Sequence, residues 1–113
     1  MDYIIATQGD RTRFNNFVAD FDWGDLLQSY EWGELKSKSG WSPIHLLAVE
    51  NGNICAAASL HKRIIPHTNK CILYAPRGPV MDMHNAALVS DFSAFIKETA
   101  VKQNAILVKI DPP

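Results

Sequence analysis

Two strand-like runs, Trp41 to Val49 and Ile54 to Ile65, meet across Glu50-Asn51-Gly52-Asn53, and this junction restricts the fold more than any other stretch of the chain. Asn-Gly is the pair that best tolerates the positive φ angles of a two-residue hairpin turn, so the runs are predicted to pair antiparallel. A further apolar run, Lys70 to Tyr74, follows the turn Pro66-His67-Thr68-Asn69 and extends the hairpin into a meander. Upstream, Tyr3 to Thr7 reads as a strand, and Phe14, Phe17, Val18 and Phe21 mark one face of a helix. A second helix spans Leu26 to Lys36, with Ser29 as an N-cap, Trp32, Leu35 and Tyr30 as its apolar contacts, and Gly40 closing it. After Tyr74 the period changes. Ala87-Leu88, Phe92, Phe95-Ile96 and Ala100-Val101 recur at helical spacing between about His84 and Gln103, and Ala105 to Ile110 is a nearly unbroken apolar strand, predicted to be buried on both faces. The order is β-α-α-β-β-β-α-β, an α/β (α+β) chain with a mainly antiparallel sheet.

Length and charge narrow the class. With 113 residues, 47% of them hydrophobic, the chain suffices for one domain with a packed core. A formal net charge of −1 gives no basic field for non-specific nucleic-acid binding. No apolar run approaches the ~20 residues of a membrane span, and Met1-Asp2-Tyr3-Ile4-Ile5 lacks the basic region of a signal peptide, so a cytoplasmic location is expected. Cys55 and Cys71 lie in separate strand-like runs without metal spacing and read as reduced core thiols. His45, His61, His67 and His84 share no metal or triad spacing and receive no role.

The segment Tyr74-Ala75-Pro76-Arg77-Gly78-Pro79-Val80-Met81-Asp82 joins a strand to the long helix, at the sheet edge where ligands collect in α/β folds. Pro76 and Pro79 fix φ and remove two amide donors, and Gly78 admits backbone conformations closed to other residues. Arg77 is therefore expected on a stiff frame, suited to bidentate recognition of phosphate or carboxylate. The structural alternative is that Arg77 pairs with Asp82 or Asp111 and staples the loop. Asp82 precedes the helical run and is expected to cap it. Asp111 ends a strand expected to be buried, so its carboxylate needs a partner, with Arg77 a candidate.

The element order matches the first part of the acetyltransferase-like (GNAT) fold. Three blocks carry a more specific resemblance: Leu27-Gln28-Ser29-Tyr30-Glu31-Trp32-Gly33-Glu34-Leu35-Lys36 followed by Gly40-Trp41; Leu73 to Asp82; and Val108-Lys109-Ile110-Asp111-Pro112. In this order they resemble the N-terminal part of the FemABX family of peptidoglycan interpeptide-bridge aminoacyltransferases. The resemblance implies a longer, two-domain parent of which this chain is the first part, with most catalytic residues in segments it lacks. It implies transfer of an amino acid from aminoacyl-tRNA to the stem peptide of a nucleotide- or lipid-linked peptidoglycan precursor, with no metal or redox cofactor. By resemblance Lys36 lies near the precursor's phosphates, and the loop residues Tyr74, Arg77, Gly78 and Asp82, together with Asp111, belong to substrate binding. Trp32 and Trp41 offer rings that stack on a sugar or base, against the alternative that both are core. Two other functions stay open: an acetyl-CoA-dependent N-acyltransferase, which Pro79 and Asp82 disfavour, and a non-catalytic precursor-binding or interaction module. Exposed sheet edges offer a route to a homodimer.

Overall fold

The computed structural model describes residues 1–112. The Asn-Gly junction forms the tight turn expected of it: Asn51 and Gly52 take φ of 52° and 81°, and β2 (Ser42–Glu50) pairs antiparallel with β3 (Asn53–Ile64) from Glu50↔Asn53 to Ser42↔Lys62. On its outer side β2 pairs antiparallel with β1 (Asp2–Ile5). On the other side β3 pairs antiparallel with β4 (Cys71–Pro76), and β4 then runs parallel to β6 (Ala105–Asp111). The sheet order is β1-β2-β3-β4-β6. One element was missed: Val80–Met81 forms β5, which pairs with Ala56 and Ala57 of β3 where β4 has turned away.

Three helices complete the domain: α1 (Arg11–Asp20), α2 (Tyr30–Ser37) and α3 (Ala86–Lys102). Ser29 caps α2, its hydroxyl accepting from the Trp32 amide at 3.1 Å. The residues before it, Leu26–Gln28, form a separate 3-10 turn instead of a continuous helix, because Asp25 captures the Leu27 amide at 2.9 Å. Asp82 does not cap α3. Asn85 does, accepting from the Leu88 amide, while Asp82 makes a tighter turn with the His84 amide three residues earlier. Among the described residues no helix is long and apolar enough to cross a membrane.

Alternation along the strands sends side chains to two faces. One face packs Leu46, Ala58 and Leu60 against the Leu88, Phe92, Ile96 and Ala100 stripe of α3, where four-residue spacing keeps these side chains on one line. The other packs Leu47, Ala57 and Val80 against Phe14 and Val18 of α1 and Tyr30 of α2. Gly33 lets α2 lie close to the sheet, since a Cβ there would come within 2.9 Å of Pro43. Two burial expectations fail. In so short a helix Tyr30 and Gly33 define the inner line, which leaves Leu35 on the outside, 52% exposed. β6 is an edge strand, with Ile106 and Leu107 more than half exposed.

Candidate functional site

Strand register assembles a polar row on the α2 side of the sheet. His61 of β3 faces Tyr74 of β4, which faces Lys109 of β6. The next row in the same direction starts at Arg63. Trp41 lies just before β2, and its amide donates to the Lys36 carbonyl at the end of α2 (3.3 Å), which joins the helix end to these rows. Three cations sit over three aromatic rings here: Lys36 Nζ 5.9 Å from Trp32, Arg63 Cζ 5.2 Å from Trp41, and Lys109 Nζ 5.2 Å from Tyr74. Among the described residues none of the three has a carboxylate partner, whereas Arg11, Arg13, Arg77 and Lys102 all do. The result is a half-exposed strip with uncompensated positive charge and flat apolar surfaces, chemistry that suits an anionic ligand carrying rings or sugars.

Beside this strip β4 parts from β3, and Gln28 fills the opening. Its Nε2 donates to the carbonyls of Pro76 (2.8 Å) and Ser59 (3.2 Å), and its Oε1 accepts from the Ser59 amide (2.8 Å). The side chain thus substitutes for a strand partner in a fully buried position. Gly78 lies directly over it: a Cβ at that position would be 2.3 Å from Gln28 Cδ. Gly78 also donates its amide to the Ala75 carbonyl and accepts from the Asp111 amide at 3.1 Å. It is a buried residue packed on Gln28, with its backbone amide and carbonyl both bonded within the chain. Arg77 is presented from this frame, exposed and at φ 56°.

Arg77 pairs with neither expected carboxylate. Its Nε lies 3.5 Å from Asp25, the residue that caps the 3-10 turn carrying Gln28. Asp111 is exposed because β6 is an edge strand, and it is tied to the loop through its backbone. Asp82 is separated from the strip altogether. Tyr74 stands opposite His61 and Met81 opposite Ala56, five residues apart along β3, or about 17 Å at the rise of an extended strand. Asp82 instead borders a second depression with Asp20, Trp23 and His84. The structure therefore brings Trp32, Lys36 and Tyr74 to one strip, sets Arg77 at its margin, and leaves Asp82 apart.

Beneath the strip lies a cluster of buried polar side chains. His61 is 2% exposed, and neither ring nitrogen has a hydrogen-bond partner; the Leu27 backbone comes near the ring without bonding geometry. Burial lowers its pKa, the Leu27 backbone opposes this, and the nearby Lys36 charge lowers it further. His45 stacks on Tyr30 with ring centroids 3.8 Å apart, and burial pushes its pKa down to about 4. Both imidazoles are neutral near pH 7. His61, Arg63 and Lys109 were not singled out from sequence, though the signal existed. His61 and Arg63 are two apart in a strand, and Lys109 is the one charged residue between Ala105 and Ile110.

Comparison with known proteins gives a consistent result. The FemAB family model matches residues 10–113. A lipid II:glycine glycyltransferase of Staphylococcus epidermidis is 32% identical over 96 residues, covering 85% of this chain and 23% of that protein. A crystal structure of FemX superposes with a TM-score of 0.88 at 28% identity, over 99% of this chain and 27% of that one. The chain spans about a quarter of the length of these relatives. A ribosomal-protein-alanine N-acetyltransferase of Brucella melitensis, at TM-score 0.70 and 13% identity over 100% of this chain and 81% of its own, shares the GNAT-like fold alone.

Proposed function

The chain belongs to the FemAB family, and from that premise we propose that it forms the acceptor-binding part of an aminoacyltransferase acting on a peptidoglycan precursor. The relatives named as lipid II:glycine glycyltransferases favour a lipid-linked acceptor and glycine as the transferred residue. The donor in this reading is an aminoacyl-tRNA. Its ester is already activated: the acceptor amine attacks the carbonyl carbon, the C–O bond breaks, and the tRNA hydroxyl leaves with a proton. Such a reaction asks the protein to orient the amine, remove its proton and stabilise the oxyanion. No residue of this chain is assigned to those three tasks.

The observation that carries the reading is the set of three unpaired cations over aromatic rings along one strip. In it Lys36 and Lys109 meet the precursor's phosphates, Trp32, Trp41 and Tyr74 supply stacking or hydrogen-bonding surface, and Arg77 meets a carboxylate or phosphate from the strip's margin. Lys36 suits the task because an ammonium at the end of a helix is a mobile point charge favoured by the helix dipole.

The acetyl-CoA alternative fares worse. A pyrophosphate cradle needs free loop amides, but Pro76 and Pro79 have none and the Gly78 amide is already bonded to Ala75. Titration calorimetry of the chain with UDP-MurNAc-pentapeptide tests the proposal. We expect saturable binding that Lys36→Ala and Lys109→Ala each weaken by about tenfold, the loss of one phosphate contact. Binding that neither substitution weakens contradicts it. Tight binding, with no transfer even when the remaining parts of the parent protein are supplied, favours the non-catalytic module.

A further inference from the structure

Arg77 stands on a backbone conformation that neighbouring structure has to impose. Its φ of 56° lies in the left-handed region, which a residue with a Cβ enters at an energetic cost. Two contacts hold the loop from its own level: the Gly78 amide donates to the Ala75 carbonyl at 3.3 Å, and the Asp111 amide donates to the Gly78 carbonyl at 3.1 Å. Gln28 holds it from beneath, on both sides of Arg77. Its Nε2 donates to the carbonyl of Pro76, the residue before, at 2.8 Å, and Gly78, the residue after, packs on its amide with no room for a Cβ. The Pro76 carbonyl and the Arg77 nitrogen share one peptide plane, so the bond from Gln28 fixes the plane about which Arg77 turns.

The same amide is referenced to β3, the middle strand of the sheet. Its Oε1 accepts from the Ser59 amide, its Nε2 donates to the Ser59 carbonyl, and the Ser59 hydroxyl donates to the Gln28 carbonyl at 2.6 Å. Gln28 is fully buried, so water does not compete for these bonds. Asp25 adds a lateral restraint. One of its oxygens accepts from the Leu27 amide, and the other lies 3.5 Å from Arg77 Nε, away from the terminal nitrogens that fork on a phosphate or carboxylate. The helix carrying Lys36 is seated differently, by the Ser29 cap and by Gly33 against Pro43. Losing the Gln28 amide therefore loosens Arg77 and leaves Lys36 in place.

We propose that Gln28 is a positioning residue: without touching ligand, its side-chain amide sets the direction in which Arg77 presents its guanidinium to an anion on the strip. The inference rests on the acceptor-binding reading. Its test is titration calorimetry with UDP-MurNAc-pentapeptide in two double-mutant cycles, pairing Gln28→Met with Arg77→Ala and with Lys36→Ala. Methionine matches glutamine in length and removes both hydrogen-bonding ends. Each single substitution is expected to weaken binding about tenfold. The variant lacking both Gln28 and Arg77 should stay near that tenfold loss, whereas the one lacking Gln28 and Lys36 should lose about a hundredfold. A purely structural Gln28 would multiply its loss in both cycles. Should Gln28→Met leave the chain unfolded, the Gln28 side-chain ¹⁵N–¹H resonances decide: ligand should move them in the unsubstituted chain and in Lys36→Ala, and leave them in place in Arg77→Ala. Losses that multiply in both cycles, a Gln28→Met chain that binds at full strength, or Gln28 resonances that ligand leaves unmoved or moves equally in Arg77→Ala overturn the proposal while the acceptor reading stands. No binding by the unsubstituted chain overturns both.

Discussion

On the face of the sheet covered by α3 the buried side chains are apolar apart from Thr99, whose hydroxyl donates to the Phe95 carbonyl within the helix. The face under α1 and α2 buries Gln28, Ser29, His45, Ser59 and His61 beside a smaller apolar cluster. Both faces are built from the same strands, so the difference resides in alternate residues: Ala56, Ala58 and Leu60 point one way, and Ala57, Ser59 and His61 the other. Buried polar groups stabilise only when satisfied, and Gln28 is satisfied while His61 is not. The α3 face accounts for stability, and the α2 face carries the cost of a buried imidazole without a partner.

That contrast yields graded outcomes. Phe92→Ala, at a fully buried site on the apolar face, is expected to lower unfolding free energy by about 3–5 kcal/mol in urea titrations, with ligand binding intact where the chain still folds. Acidification should strike the polar face next. The His45 pKa is lowered from 6.5 to about 4, so its contribution is complete above pH 6.5 and lost as pH falls through that window, roughly 3 kcal/mol in all. Unfolding curves at pH 7, 5.5 and 4 measure it, and His45→Gln should flatten the dependence. Gln28→Ala orphans the Ser59 amide and the Pro76 carbonyl, and calorimetric melting should report a loss of about 2 kcal/mol. His61→Leu should run the other way. Replacing an unpartnered buried imidazole by an apolar group of similar size is expected to raise stability by about 1 kcal/mol, and a loss instead would reveal an internal partner for the ring. Arg77→Ala, at an exposed pair, should change stability by less than about 0.5 kcal/mol.

How much of this could be read in advance depended on range. The hairpin, the α3 stripe and the Ser29 cap rest on interactions within a few residues, and those patterns were legible. The extra strand β5 was not, because it forms only where β4 diverges and Gln28, 48 residues upstream of Pro76, fills the opening. Arg77 was matched to the acids nearest it in its own blocks, whereas its partner Asp25 arrives from the turn before α2. Asp82 resembled a cap by sequence position, but Asn85 offered the same chemistry at the helix start. β6 looked like a central strand from its composition, which says how apolar a strand is and nothing about what lies beside it. Of the candidate strip, Trp32, Lys36 and Tyr74 were legible in the sequence, whereas His61 and Lys109 became visible only once register set them beside Tyr74, and Arg63 one row further along.

The most direct test of the division between the two faces is amide shift mapping of the ¹⁵N-labelled chain with UDP-MurNAc-pentapeptide. Saturable shifts at Lys36, Trp41, Arg63, Tyr74, Arg77 and Lys109, with Leu88 to Ala100 of α3 unmoved, are the predicted result. Shifts concentrated along α3, or none in a chain whose spectrum shows it folded, would contradict the account.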